Sequence, residues 1–182
     1  MIFEQSCCKL ESQDRTAERR AIVEEIIGNC QKKFPTLNYR ILDRLTAINA
    51  QASIFNDVRF VDLFGGFAYH PEVGHDALVF VLLHETGHHL SQGCRLPWMP
   101  KLACDCAADF WAITEGQAEL QKSNCRFVIE LALCQIECAA NLNKSNLSTR
   151  IRRSRCSFLD WTKRKRCLMD AEPYARDTCA II

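Results

Sequence analysis

Three residues in the stretch Val79 to Gly93 (VFVLLHETGHHLSQG) have the types and spacing for chemistry: His84, Glu85 and His88 fit the pattern H-E-x-x-H inside an apolar helical run. Residues four apart on a helix lie one turn above each other on one face, so two imidazoles can hold a single metal ion between them. Glu85 sits one step round the helix, where its carboxylate can reach a metal-bound water without being a ligand. That is the arrangement for metal-assisted hydrolysis. A buried helix can also carry two histidines for packing and hydrogen bonding alone. The context favours the metal: Leu78 to Leu83 is apolar on all sides, as in a helix driven through a core, and Gly87 leaves room for a close approach at the centre of the motif.

The elements around this helix follow from periodicity and punctuation. Ile22, Val23, Ile26, Ile27, Cys30 and Phe34 recur at helical spacing and predict an amphipathic helix over Ala17 to Phe34, ended by Pro35. A second helical stretch is expected over about Asn38 to Ala47. From Ile48 to His70 the strand formers Val58, Phe60, Val61 and Phe64, punctuated by Gly65 and Gly66, predict two short strands, or a strand and an extended return, leading into the metal helix. An extended edge beside such a site is where a peptide could lie by adding a strand of its own. His70 to Gly74 makes the turn, and the metal helix runs from His75 or Asp76 to Gln92, where Gly93, Pro97 and Pro100 stop it. A third helix from near Lys101 to Gln121 and a fourth over Arg126 to Asn141 are expected beyond.

A catalytic zinc site needs a third protein ligand and an open position for water. With a short connection, the metal helix and the third helix are antiparallel neighbours. Counting away from that connection, Asp105 comes level with His88 and Asp109 with His84, and the two aspartates, four apart, share a face. Cys104 and Cys106 compete as thiolate ligands but project about 100° to either side of Asp105. Glu115 and Glu119 are more distant acidic candidates. Tyr69, His70 and His75 are candidates to stabilise a tetrahedral oxyanion, and His89, about 100° round from His88, is expected to orient its neighbours or to face solvent.

The run Asn49-Ala50-Gln51-Ala52, a strand, a glycine-containing turn, the HETGHH helix and then Asp105-Cys106-Ala107-Ala108-Asp109 resembles the gluzincin metallopeptidases, in particular the M48 type. Those proteins carry an N-A-x-A segment, a strand, an H-E-x-x-H helix and a later E-x-x-A-D helix whose glutamate is the third zinc ligand. Aspartate stands in that place here, and the short gap from His88 to Asp105 is more like the compact M78-type peptidases. The resemblance implies one Zn²⁺ ion held by His84, His88 and Asp105, with Asp109 as the supporting carboxylate. It implies a zinc metalloendopeptidase acting on a peptide or protein substrate, with Glu85 taking the proton of the attacking water. It also implies an α+β fold, a mostly helical zincin-like domain with a small sheet before the H-E-x-x-H helix.

Composition bounds the rest. The 182 residues suffice for one domain and a tail, divided here as a flexible lead-in over 1–16, the zincin-like domain over 17–142 and a basic, cysteine-containing segment over 143–182. Nine basic residues and one acid lie between Lys144 and Arg166, leaving 14 basic and 21 acidic residues elsewhere. This basic stretch is either a solvated face or a contact for nucleic acid or an anionic surface, and a zincin-fold binding protein is the alternative to the enzyme. A structural zinc protein using thiolates is the other. The apolar runs are too short to span a bilayer. Met1 to Arg20 lacks the pattern of a secretory leader, so the expectation is a cytoplasmic protein whose twelve cysteines are mostly thiols. A leader encoded upstream would instead make it periplasmic or secreted, with Cys156, Cys167, Cys179 and either Cys94 or Cys125 the first to be bridged.

Overall fold

A computed structural model describes residues 15–122, 125–142, 164–165 and 168–169. The fold is α+β, in the order α1 (Ala17–Lys33), β1 (Asn38–Leu42), β2 (Ala50–Phe55), β3 (Val58–Phe64), α2 (Gly65–Ala68), α3 (His75–Leu90), β4 (Arg95–Leu96), β5 (Met99–Ala103) and α4 (Asp105–Trp111). A π-helical turn (Ala112–Gly116), α5 (Gln117–Gln121) and α6 (Ile129–Leu142) complete it.

Helix α1 starts where the Thr16 hydroxyl accepts from the Arg19 amide, and it buries Val23, Ile26 and Cys30. Thr16 is thus the cap of the first helix. The expected helix over Asn38 to Ala47 is instead strand β1, because residues 38–42 pair in parallel with β3, from Asn38 opposite Phe60 to Leu42 opposite Phe64. Long-range pairing overrides the local preference here. Strand β3 is central, in the order β1-β3-β2, and β1 and β2 form the two edges. Asn56 and Asp57, both at positive φ (48° and 61°), make the two-residue turn that joins β2 to β3. Val61 and Leu63 face the core from β3, while Asp62, 1 % exposed on the other face, accepts from Arg40 and Ser53.

The sheet leads directly into the helical part. A Cβ at Gly66 would lie 2.1 Å from the Thr46 carbonyl oxygen, so this corner requires glycine. Helix α3 is buried from Ala77 to His89 except at half-buried Val81, with both sheet and helices around it. Gly74, at its start, offers no capping side chain; the Gln135 carbonyl of α6 accepts from the Gly74 and Ala77 amides instead. In return the Asp76 carboxylate accepts from the Val128 amide ahead of α6.

The expected helix from Lys101 begins only at Asp105. Residues 95–103 form the β4–β5 hairpin, tied at its base by the Cys94–Cys104 disulfide and a Cys104 to Cys94 backbone hydrogen bond. From Asp105 the chain runs back along α3. Cys30 in α1, Cys138 in α6 and Cys125 ahead of α6 are buried thiols, and Cys134 is a half-buried one. Cys7, Cys8, Cys156, Cys167 and Cys179 lie outside the described residues, as does most of the basic segment; of the latter, Arg164, Lys165, Leu168 and Met169 are described, and Leu168 is buried in the main core. Among the described residues no helix is long and apolar enough to cross a membrane.

Candidate metal centre

His84 and His88 project from one face of α3 toward the start of α4, where Asp105 is the first helical residue. One donor atom from each of the three lies within 4.8 Å of the others, so the group could hold a metal ion. Their Nε2 atoms are 3.1 Å apart, and Asp105 Oδ1 is 3.8 Å from the first and 3.6 Å from the second. Tetrahedral coordination with bonds of about 2.0–2.1 Å sets donor atoms about 3.3–3.4 Å apart, so this spacing fits a zinc-sized ion to within a few tenths of an ångström.

The surroundings decide which nitrogens carry protons. His88 Nδ1 lies 2.7 Å from the Ala103 carbonyl oxygen of β5, which can only accept, so Nδ1 holds the hydrogen and Nε2 keeps its lone pair. His84 Nδ1 lies 2.7 Å from Asp109 Oδ1 and donates to that carboxylate in the same way. Two neutral imidazoles so arranged aim their lone pairs at each other, a repulsion that a metal cation or a proton between them relieves. Burial lowers the His84 pKa, but the Asp109 charge and hydrogen bond raise it more, and the net shift is upward. Burial, and then the neighbouring His84 charge, lower that of His88.

Asp109 is 4 % exposed and joins a second cation that sequence reasoning missed. Arg164 donates to it through Nε and, at 2.8 Å, through Nη2. Burial alone would raise the Asp109 carboxyl, yet Arg164 and His84 more than offset this and hold it well below the usual carboxylate range. Arg164 Nη2 is 3.4 Å from both ring nitrogens of His84, which puts the guanidinium over the ring face rather than in its plane. No spacing rule could have singled out Arg164 from its basic run, since it comes 80 residues after His84.

Glu85 is 8 % exposed, and its Oε2 lies 3.9 Å from His88 Nε2, beside the ligand group and on its own side of the helix. Asp105 keeps a side chain 34 % exposed, so the centre is open at that edge. The close approach of α4 depends on Gly87, where a Cβ would meet the Ala108 carbonyl oxygen at 2.7 Å.

Several expected participants are not brought to this centre. The Tyr69 hydroxyl donates to Asp43, which with burial pushes its pKa up to about 12, and its ring lies beneath Arg15 and Arg20. The His70 ring accepts from the Glu72 amide within its own turn. His75 is exposed at the first position of α3, more than two turns from His84. Glu119 pairs with Lys33 and Lys122, and Glu115 lines a separate small cavity behind Trp111. Cys104 is committed to its disulfide and caps α4. His89 is not solvent-facing: it is 5 % exposed, and its Nε2 donates to the Phe60 carbonyl at 2.9 Å.

What fold and site define together is an α+β domain with a two-histidine, one-aspartate group that could hold a metal ion beside a glutamate. The chain matches no protein-family profile, no curated protein and no solved structure.

Proposed function

We propose that the chain is a zinc-dependent peptidase of the zincin type. The observation that carries this reading is the pair of imidazoles whose Nδ1 hydrogens are both committed, to Asp109 and to the Ala103 carbonyl, so that two bare Nε2 atoms converge with Asp105. His84, His88 and Asp105 would hold the ion. Zinc bound there supplies Lewis acidity, lowering the pKa of water from 15.7 to about 7. Glu85, adjacent to the group but outside it, takes the proton of the attacking water and returns it to the leaving amine. Asp109 fixes the orientation and tautomer of His84, and Arg164 balances its charge so that the carboxylate stays ionised in a buried place. A peptide substrate lies along the open side of β2 as an added strand.

Two observations weigh against the other readings. A closed thiolate site is disfavoured because the Cys104 sulfur is already bonded and Asp105 faces an open edge. Within the basic segment, Arg164 and Lys165 are engaged with Asp109 and Glu137, which removes them from any nucleic-acid contact.

The test is Glu85→Gln, measured with metal analysis and digestion of a peptide library. The expected result is one zinc per chain in both proteins and hydrolysis only in the wild type. A wild type that binds no zinc, or that leaves the library uncut, refutes the proposal.

A further inference from the structure

One turn of α3 beyond Glu85, an open cavity of about 570 Å³ lies between the β2–β3 hairpin and the β4–β5 hairpin. Asp57, in the β2–β3 turn, and Lys101, in β5, join the two hairpins across its rim by a salt bridge. Arg59, which is exposed, and Arg95, which is half-buried, line the cavity, and among the described residues neither has a carboxylate partner. Both are anchored to the metal centre's framework. Arg95 is paired in register with Ala103, whose carbonyl holds His88, and Arg59 precedes Phe60, whose carbonyl holds His89.

His89 forms part of the wall, but its Nδ1 is sealed from the cavity, so the two arginines carry the recognition. An apolar occupant would leave two guanidinium forks facing hydrocarbon. An acidic side chain of a peptide offers its carboxylate to these planar donors in a charge-assisted contact.

We infer that this cavity recognises an aspartate or glutamate of the peptide substrate through Arg59 and Arg95. The inference rests on the peptidase reading given above. Glu85 and His89 are four residues apart, a rise of about 6 Å. An extended peptide advances about 3.3 Å per residue, which puts the acidic residue roughly two positions from the cleaved bond.

Binding and cleavage separate this inference from the reading it rests on. Zinc-loaded Glu85→Gln protein is titrated by fluorescence anisotropy with labelled octapeptide pools, randomised except for one central position fixed as Glu, Gln, Lys or phosphoserine. The Glu pool is expected to bind about tenfold tighter than the Gln pool, as for a charge-assisted contact. That difference disappears in Arg59→Ala/Arg95→Ala, and Arg95→Glu shifts the preference to the Lys pool, with zinc content unchanged in both. Equal binding of the Glu and Gln pools overturns the inference, as does a preference that survives the double substitution or a phosphoserine pool that binds tightest. Wild-type digestion of the same pools is scored separately. Absence of cleavage with the Glu preference intact refutes the peptidase and keeps the carboxylate pocket, whereas cleavage without acidic preference refutes the pocket alone.

Discussion

Asp109→Asn tests how the buried charge behind His84 serves the metal. The side chain keeps its shape and one acceptor oxygen, but it loses its charge and turns an NH₂ toward one of two donors, His84 Nδ1 at 2.7 Å or Arg164 Nη2 at 2.8 Å. At 4 % exposure, no water is at hand to relieve that donor–donor contact. A hydrogen bond to a charged partner contributes about 1.5–3 kcal/mol, equivalent to roughly a 10- to 150-fold loss of zinc affinity, similar to the 10- to 100-fold cost of removing partners behind metal ligands. Arg164, with 27 % of its side chain exposed, recovers part of its hydration, so the loss should fall in the lower half of that range. Asp105→Ala removes a ligand and should cost more. Competition against a chromophoric zinc chelator at neutral pH measures both. A wild-type affinity in Asp109→Asn would refute the argument, and a greater loss there than in Asp105→Ala would move the third ligand one turn along α4.

Zinc affinity should fall as the pH drops through a value above the ordinary histidine pKa of 6.5, because burial lowers His84 less than Asp109 raises it. The proton that zinc must displace is thus held to higher pH than on a free imidazole; calorimetric titration over about pH 5.5 to 8.5 checks this, and a midpoint below 6.5 contradicts it. Gly87→Ala puts a Cβ 2.7 Å from a backbone oxygen of α4 that cannot swing aside, so it should destabilise by about 1–3 kcal/mol in urea denaturation despite better helix propensity, and weaken zinc binding with it. Cys94→Ser/Cys104→Ser opens a cross-link of sequence separation 10, for which the loop-entropy model gives about 2.5–3 kcal/mol. The same pair should weaken zinc binding by loosening Ala103, the acceptor for His88; unchanged affinity would separate the hairpin from the metal centre.

The histidine pair and Glu85 were legible because one helix turn brings them together, and local spacing is what sequence displays best. The two aspartates were legible for the same reason, although the connection assumed to be a short loop is a disulfide-tied hairpin. Their i, i+4 spacing on α4 survives that error and gives each a different nitrogen of the site to face. What escaped reading depends on distant partners. Asn38 to Leu42 looked helical until β3 supplied a parallel neighbour, and His89 is drawn inside by the Phe60 carbonyl, 29 residues earlier. Arg164 was hidden among eight other basic residues, with nothing in the segment to mark which one would be buried against an aspartate.

The cap that Gln135 supplies to α3 has a consequence in time. The Gly74 amide waits for a side chain 61 residues further along the chain, and at about 5–20 residues per second of synthesis that delay is roughly 3–12 s. Through that interval the first turn of the helix carrying both histidines lacks its cap, and the face that α6 covers in the finished fold has no partner. The helix that carries both histidines is therefore completed from behind, by a side chain of the later helix α6, and a chain interrupted before Gln135 keeps His84, His88 and Asp105 without that support.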